Sequence, residues 1–298
     1  MGNGVVRWRG HRIHVTETGE GDPLLLVAGL GCNTQMWTPF IKHFPHRRII
    51  RFDAPGTGES STPMYPVPVA SLSDLAAEVL DSCNAPWADV IGFSYGGAIA
   101  QQLAYEHPDR IRRLVLASTT CGVGAAPGSL AALTVLGTPV RYYSPTYFDR
   151  TAGASYGGMT ERDAPTRHRM MQVRRQHPPS PYGYTMQLLG AIGWSSWPFL
   201  SQIPHETLVI CGDDDPLIPI QNAEMLARHI PHARLEIVEH GGHLLLWDDA
   251  DHLGRRISRF VNAAHSRNRT SRHNGNGASH VNGNGNGASR HNGHGARA

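Results

Sequence analysis

Gly92-Phe93-Ser94-Tyr95-Gly96 is a G-x-S-x-G box, preceded by the apolar run Ala88-Asp89-Val90-Ile91 and followed by a helix-compatible stretch from Gly97 to Ala104. Strand, sharp turn and helix are the context in which such a serine serves as a nucleophile, because the glycines let backbone pass close to a strained turn. The same five residues could form an ordinary Gly/Ser turn, and the flanking pattern favours the catalytic reading. A serine hydroxyl is a weak nucleophile at neutral pH. It needs a base within hydrogen-bond reach, oriented in turn by a carboxylate.

Both partners occur downstream, each on a loop after an apolar run. In Cys211-Gly212-Asp213-Asp214-Asp215-Pro216-Leu217-Ile218-Pro219, three aspartates compete for the acid role. Asp215 is selected, three residues beyond Gly212 and fixed by Pro216, with Asp213 and Asp214 read as solvated or capping the loop. In Glu239-His240-Gly241-Gly242-His243, His243 is selected among the chain's 18 histidines because two glycines can deliver its ring to the serine. His240, nearer the strand end, is read as packing or solvent-facing. Acyl transfer also needs N–H donors aimed at the developing oxyanion, worth about 3 kcal/mol each. The candidates are the backbone N–H of Tyr95, next to the nucleophile, and that of Leu30 in Val27-Ala28-Gly29-Leu30-Gly31-Cys32-Asn33.

These loops need a rigid frame. Apolar runs at 24–27, 48–52, 89–91, 113–116, 207–210 and 234–238 alternate with helical patterns at 71–82, 96–106, 220–229 and 250–264. Such alternation predicts a parallel sheet with helices on both faces. Between about 120 and 200 the rhythm stops. That stretch holds seven arginines against three acids and is rich in Gly, Pro, Tyr and Trp. It is read as an insertion of several short helices capping the site, since a structureless loop of this length would be anomalous. The domain reading is a core at 1–120 and 201–264, a cap at 121–200 and a tail at 265–298. Trp194, Trp197, Phe199 and Leu188 are the candidates for an apolar substrate channel in the cap, with cap core as their alternative role.

The tail repeats Asn, Gly, His and Arg with almost no apolar residue, so disorder is expected there. From His265 onward it carries five arginines and no acid, and subtracting those five from the net charge of +3 leaves −2 for residues 1–264. A nearly neutral body does not suggest nucleic-acid binding. The chain of 298 residues is 40% hydrophobic and 17% charged, without an apolar run of membrane-spanning length. No basic start followed by an apolar segment marks secretion, so the cytoplasm is the expected location. The four scattered cysteines read as reduced thiols. Phe52-Asp53-Ala54-Pro55-Gly56-Thr57-Gly58-Glu59-Ser60-Ser61 lacks the lysine of a P-loop, and it is assigned a structural role beside the site. No metal-ligand cluster is visible, and a cofactor-free mechanism is expected.

Asp53-Ala54-Pro55-Gly56 through Ser61-Thr62-Pro63, the elbow with Ala100-Gln101-Gln102, and the loop from Gly212 to Pro219 give the chain a closer likeness. So do the cap segments Tyr156-Gly157-Gly158, Tyr184-Thr185-Met186-Gln187-Leu188-Leu189 and Gly193-Trp194. Together, from about residue 24 to 262, they resemble the intracellular medium-chain-length poly(3-hydroxyalkanoate) depolymerases of the α/β-hydrolase superfamily. The core motifs are shared by hydrolases of many activities, whereas the cap segments are specific. The resemblance implies an α/β-hydrolase fold, a serine esterase with Ser94, Asp215 and His243 as its triad, and a polyester granule surface as a partner. The family's elbow carries Trp where this chain has Tyr95, and the Arg-rich stretch 167–175 and the tail depart from its pattern. Small-ester carboxylesterases, lactonases and C–C bond hydrolases would use the same triad, and a hydrolase-fold receptor would keep it with little turnover.

Overall fold

The computed structural model describes residues 2–271, and most of the polar tail lies outside them. Its elements run β1 (Gly2–Trp8), β2 (His11–Thr18), β3 (Asp22–Val27), α1 (Thr38–Ile41), β4 (Arg47–Phe52), α2 (Val69–Ser82), β5 (Ala88–Phe93), α3 (Tyr95–Glu106) and β6 (Ile111–Ala117). Six cap helices follow: α4 (Leu130–Leu136), α5 (Val140–Tyr143), α6 (Pro145–Tyr156), α7 (Gly158–Arg162), α8 (Ala164–Gln176) and α9 (Pro181–Ala191). The core then resumes with β7 (Glu206–Gly212), α10 (Ile220–His229), β8 (Ala233–Val238), α11 (Leu245–Asp248) and α12 (Ala250–Ser271). The last helix runs past its expected end at 264, since nothing between His265 and Ser271 is a glycine or proline. Among the described residues no helix is long and apolar enough to cross a membrane.

One eight-stranded sheet has the order β1-β2-β4-β3-β5-β6-β7-β8. The pairs β1/β2 and β2/β4 are antiparallel and the others parallel. The β1–β2 hairpin is absent from the sequence reading. Its turn is Arg9-Gly10, with φ of 45° and 83°. That is the geometry of a two-residue hairpin turn, but it lacks the Asn-Gly or Asp-Gly that usually signals one.

Alternation along the parallel strands sorts side chains to two faces. Leu25, Val27, Val90, Leu114 and Leu116 pack under α2, α3 and α10. Leu24, Leu26, Ile91, Val115 and Ile210 pack under α1 and α12, in a cluster that continues into Phe148, Tyr156, Met170 and Met171 of the cap. The cap therefore shares a core with the sheet. At the amino-terminal edge of the strands, Asp89, with no exposure, pairs with Arg47 and Arg112, and Arg112 also reaches Asp22 at 2.7 Å. This network ties four strands together at the edge opposite the loops described next.

Candidate active site

Ser94, Asp215, His243 and Leu30 follow the carboxyl ends of β5, β7, β8 and β3. Parallel strands present those ends at one edge, where open α/β sheets bind their ligands. Ser94 has φ 53° and ψ −119°, a conformation rarely adopted by L residues. The surroundings over-determine it. A Cβ on Gly92 would lie 2.7 Å from Ala100 Cβ, and one on Gly96 would collide with the carbonyl of Val27. The strand–turn–helix can close only with glycine at both positions.

His243 Nε2 lies 3.0 Å from Ser94 Oγ and its Nδ1 2.8 Å from Asp215 Oδ2. Asp215 Oδ1 accepts the backbone N–H groups of Leu217 and Ile218, both at 2.9 Å, so one oxygen is fixed by the loop and the other faces the imidazole. Asp215 and His243 are 6% and 3% exposed, which keeps water from competing for their hydrogen bond. The histidine ring sits between Phe93 and Tyr156, with centroids at 5.3 and 6.1 Å, and the Tyr156 carbonyl accepts the His243 N–H at 2.7 Å.

The other two acids of the Asp run separate by role. Asp213 is exposed. Asp214, read as solvated or loop-capping, instead reaches the cap, accepting Gly158 N–H at 3.0 Å and Arg162 Nη2 at 2.7 Å. His240 is solvent-facing, its side chain 72% exposed.

A Cβ on Gly29 would lie 3.4 Å from Ser94 Cβ, so the loop bearing Leu30 runs beside the serine. Tyr95 opens α3, and the first N–H groups of a helix have no intrahelical acceptor and carry the positive end of its dipole. Two cap residues grip the peptide after Leu30: Tyr142 Oη donates to Leu30 O at 2.6 Å, and Gln187 Oε1 accepts Gly31 N–H at 3.0 Å. Gln187 Nε2 in turn donates to Pro55 O at 3.0 Å. Asp53 braces the same region, its carboxylate accepting Thr34 N–H at 2.7 Å and Glu59 N–H at 2.9 Å. Burial raises the Asp53 carboxyl, and these two N–H bonds act against the rise. That fits the structural role expected of the 52–61 loop.

Of the expected channel residues, Leu188 packs beside Leu30, Tyr142 and Tyr184 above the site. Trp194 donates to Gln102 Oε1 of α3 at 2.7 Å and packs on the same core as Tyr95. Trp197 is not brought to the serine. The turn Trp197–Gln202 buries Leu200 and stacks Phe199 on Tyr105 at 4.3 Å, which leaves Trp197 48% exposed against His229 at the far end of α10. Tyr142, Tyr156 and Gln187 also bear on the site, although residue type and spacing alone do not mark them. Two of them lie in the cap segments that carry the family resemblance, and Tyr142 had no signal beyond its place in the insertion. Asp74, Glu106 and His107 also converge, but at the end of α3 away from Ser94.

Comparison with known proteins agrees with this fold. A profile of the alpha/beta hydrolase fold matches residues 22–250. The chain is 40% identical over 240 residues to a poly(3-hydroxyalkanoate) depolymerase of Ectopseudomonas oleovorans, covering 80% of this chain and 84% of that one. It is 31% identical to a 2-hydroxymuconate semialdehyde hydrolase of Pseudomonas sp. strain CF600, covering 83% and 88%. In three dimensions it superposes on the enol-lactonase of Burkholderia xenovorans LB400 with a TM-score of 0.75 at 23% identity, over 87% and 100% of the two chains. With its sheet order, its strained serine turn and this profile match over most of its length, the chain belongs to the alpha/beta hydrolase fold family.

Proposed function

We propose that the chain is a serine ester hydrolase that cleaves the oxoesters of hydroxyacyl chains, as a poly(3-hydroxyalkanoate) depolymerase does. The observation that carries the chemistry is the hydrogen-bonded line from Asp215 through His243 to Ser94, ending on a hydroxyl held in a strained turn. Ser94 attacks the ester carbonyl while His243 takes its proton, and Asp215 keeps the imidazole in the tautomer that presents a free Nε2. The N–H groups of Leu30 and Tyr95 receive the oxyanion. His243 returns the proton to the leaving alcohol, and water, activated by the same histidine, releases the acyl group. No step calls on a cofactor.

The substrate class rests on the 40% identical relative. It is supported by the apolar surface of the cap and the neighbouring loop, where Met64, Tyr65, Leu130 and Ile192 are 72%, 75%, 82% and 72% exposed. A surface of that kind suits an insoluble polyester granule in the cytoplasm. Carbon–carbon bond hydrolysis is the second reading, favoured by the 31% identical relative and open to the same triad. Purified protein is expected to clear a medium-chain polyester suspension and to hydrolyse p-nitrophenyl octanoate. Ser94→Ala is expected to lower ester turnover at least 10⁴-fold. More than a few percent residual activity in that variant would refute the role of Ser94. A sharp preference for acetate esters, with no clearing of polymer, would refute the substrate class.

A further inference from the structure

Behind the oxyanion loop lies a narrow cavity walled by Gly31, Cys32 and Asn33 of the loop, Tyr142 and Arg174 of the cap, and Trp247 of α11. Two guanidinium groups are buried here, Arg141 at 2% exposure and Arg174 at 9%. Among the described residues neither meets a carboxylate. Arg141 donates to the carbonyls of Val135 at 3.2 Å and Thr138 at 2.8 Å, and its Nε is buried without a partner. Arg174 donates to the Tyr156 hydroxyl at 3.1 Å.

Aromatic rings surround both cations. The Arg174 guanidinium lies 5.0 Å from the ring centres of Phe148 and Tyr156 and 5.1 Å from that of Tyr142. Arg141 lies 4.9 and 5.0 Å from those of Tyr142 and Tyr184. Ring faces contribute about 0.5–2 kcal/mol each, whereas removing an ion from water costs several kcal/mol. Tyr142 and Tyr184 supply no counter-charge, because burial pushes Tyr184 up to about 12 and Tyr142 well above its usual value. Two like charges thus share one apolar pocket and leave a positive potential that opens into the cavity through Arg174.

The cavity is close to the reacting groups. Gly31 follows Leu30 directly. Tyr156, held by Arg174, stacks on His243, and Trp247 sets its edge against Phe93, the residue before Ser94, at 5.9 Å.

We propose that this cavity is a carboxylate subsite in which Arg174, backed by Arg141, binds the free acid end of a short hydroxyacyl ester. The proposal rests on the ester-hydrolase reading of Ser94 and narrows its substrate to chains with a free carboxylate terminus. Ser94 takes the acyl group, and the leaving alcohol is itself a hydroxy acid whose carboxylate passes through the reaction unchanged. A guanidinium–carboxylate pair has the geometry for two parallel hydrogen bonds, and its strength is greatest where water is excluded.

The test compares kcat/KM for the ester dimer of 3-hydroxyoctanoate as the free acid and as its methyl ester, with p-nitrophenyl octanoate as a neutral control. The free acid is expected to be favoured about tenfold or more. Arg174→Met and Arg174→Gln are expected to bring that ratio to about one. A wild-type ratio near one, or a folded Arg174 variant that keeps the preference, overturns the subsite. Cleavage of the methyl ester and the control in either case leaves the ester-hydrolase reading standing, and no cleavage of any of the three refutes that reading instead. Should the Arg174 variants fail to fold, calorimetry on Ser94→Ala decides. Binding of 3-hydroxyoctanoate about tenfold tighter than its methyl ester supports the subsite, and equal affinities overturn it.

Discussion

Tyr142 acts on the proposed oxyanion donor through the Leu30 carbonyl. Its hydroxyl donates to the Leu30 carbonyl at 2.6 Å, and burial holds the phenol well above its usual pKa, so it remains a donor across the working pH range. The Leu30 N–H needs an aim accurate to a few tenths of an ångström, because an oxyanion donor acts on charge that exists only in the transition state. Tyr142→Phe keeps the ring that stacks near Arg141 and Arg174 and removes only the hydroxyl. It is expected to lower kcat about tenfold on p-nitrophenyl octanoate while KM stays within about twofold, as befits a positioning residue. Steady-state kinetics check this, and an unchanged kcat would show that the loop holds its aim without Tyr142. At this scale the sequence was informative where chemistry restricts residue type. Ser94, Asp215 and His243 stand out as candidates because only a few residue types can act as nucleophile, acid or base, and the structure brings the three into one hydrogen-bonded line. Tyr142 and Gln187 do not stand out, since a tyrosine or glutamine in an irregular insertion has no pattern until its contact is known.

Cap and core are in tight contact where α6 ends and α7 begins. Gly157 has φ 59° and ψ −157°, and a Cβ there would collide with the carbonyl of Asp214 on the acid loop. On the other side, a Cβ on Gly158 would lie 2.7 Å from Gly242 Cα on the histidine loop. The two-glycine junction therefore wedges between the loops bearing Asp215 and His243, and the Tyr156 carbonyl completes the hold. Gly157→Ala combines a backbone region essentially closed to alanine with a steric overlap, and is expected to cost about 2–4 kcal/mol of stability. It is also expected to lower kcat more than tenfold, since the loops must separate to admit the methyl. Urea unfolding and ester kinetics on one preparation check both effects. Stability and kcat near wild type would show that the junction yields without moving the loops. The helices and parallel strands were readable from their periodicity. The β1–β2 hairpin was not, because Arg9-Gly10 adopts a turn that its residue types do not advertise.

Across the whole molecule, the cap is joined to the core by a group whose charge depends on pH. Asp248 of α11 accepts the Thr160 hydroxyl of α7 at 3.1 Å, its second oxygen is buried without a side-chain partner among the described residues, and burial pushes the carboxyl up to about 6. A raised carboxyl binds its proton more tightly folded than unfolded. Its contribution to stability is therefore present in full below about pH 4 and is lost as pH rises through about 6. The loss is on the order of 2–3 kcal/mol. Asp248→Asn keeps an acceptor for Thr160 without the charge. It is expected to be more stable than the wild type at pH 8, with the gap narrowing toward pH 4. Urea midpoints at both pH values check this, and a gap independent of pH would show that Asp248 is not buried as a charge.

By itself the sequence determined the order of the chemistry and the frame that carries it. The elbow, acid loop and histidine loop each follow an apolar strand, and parallel strands can only present their carboxyl ends together. Local periodicity and residue type are enough to read that much. Tertiary structure decided which neighbours complete the site, because those contacts join positions far apart in sequence. Asp214 is turned to the cap while Asp215 faces the histidine, Trp197 lies on the surface, and Arg174 is buried behind Tyr156 with no acid to meet it among the described residues. An arginine reads as solvated charge in a sequence, and only packing reveals that water has been taken away from it.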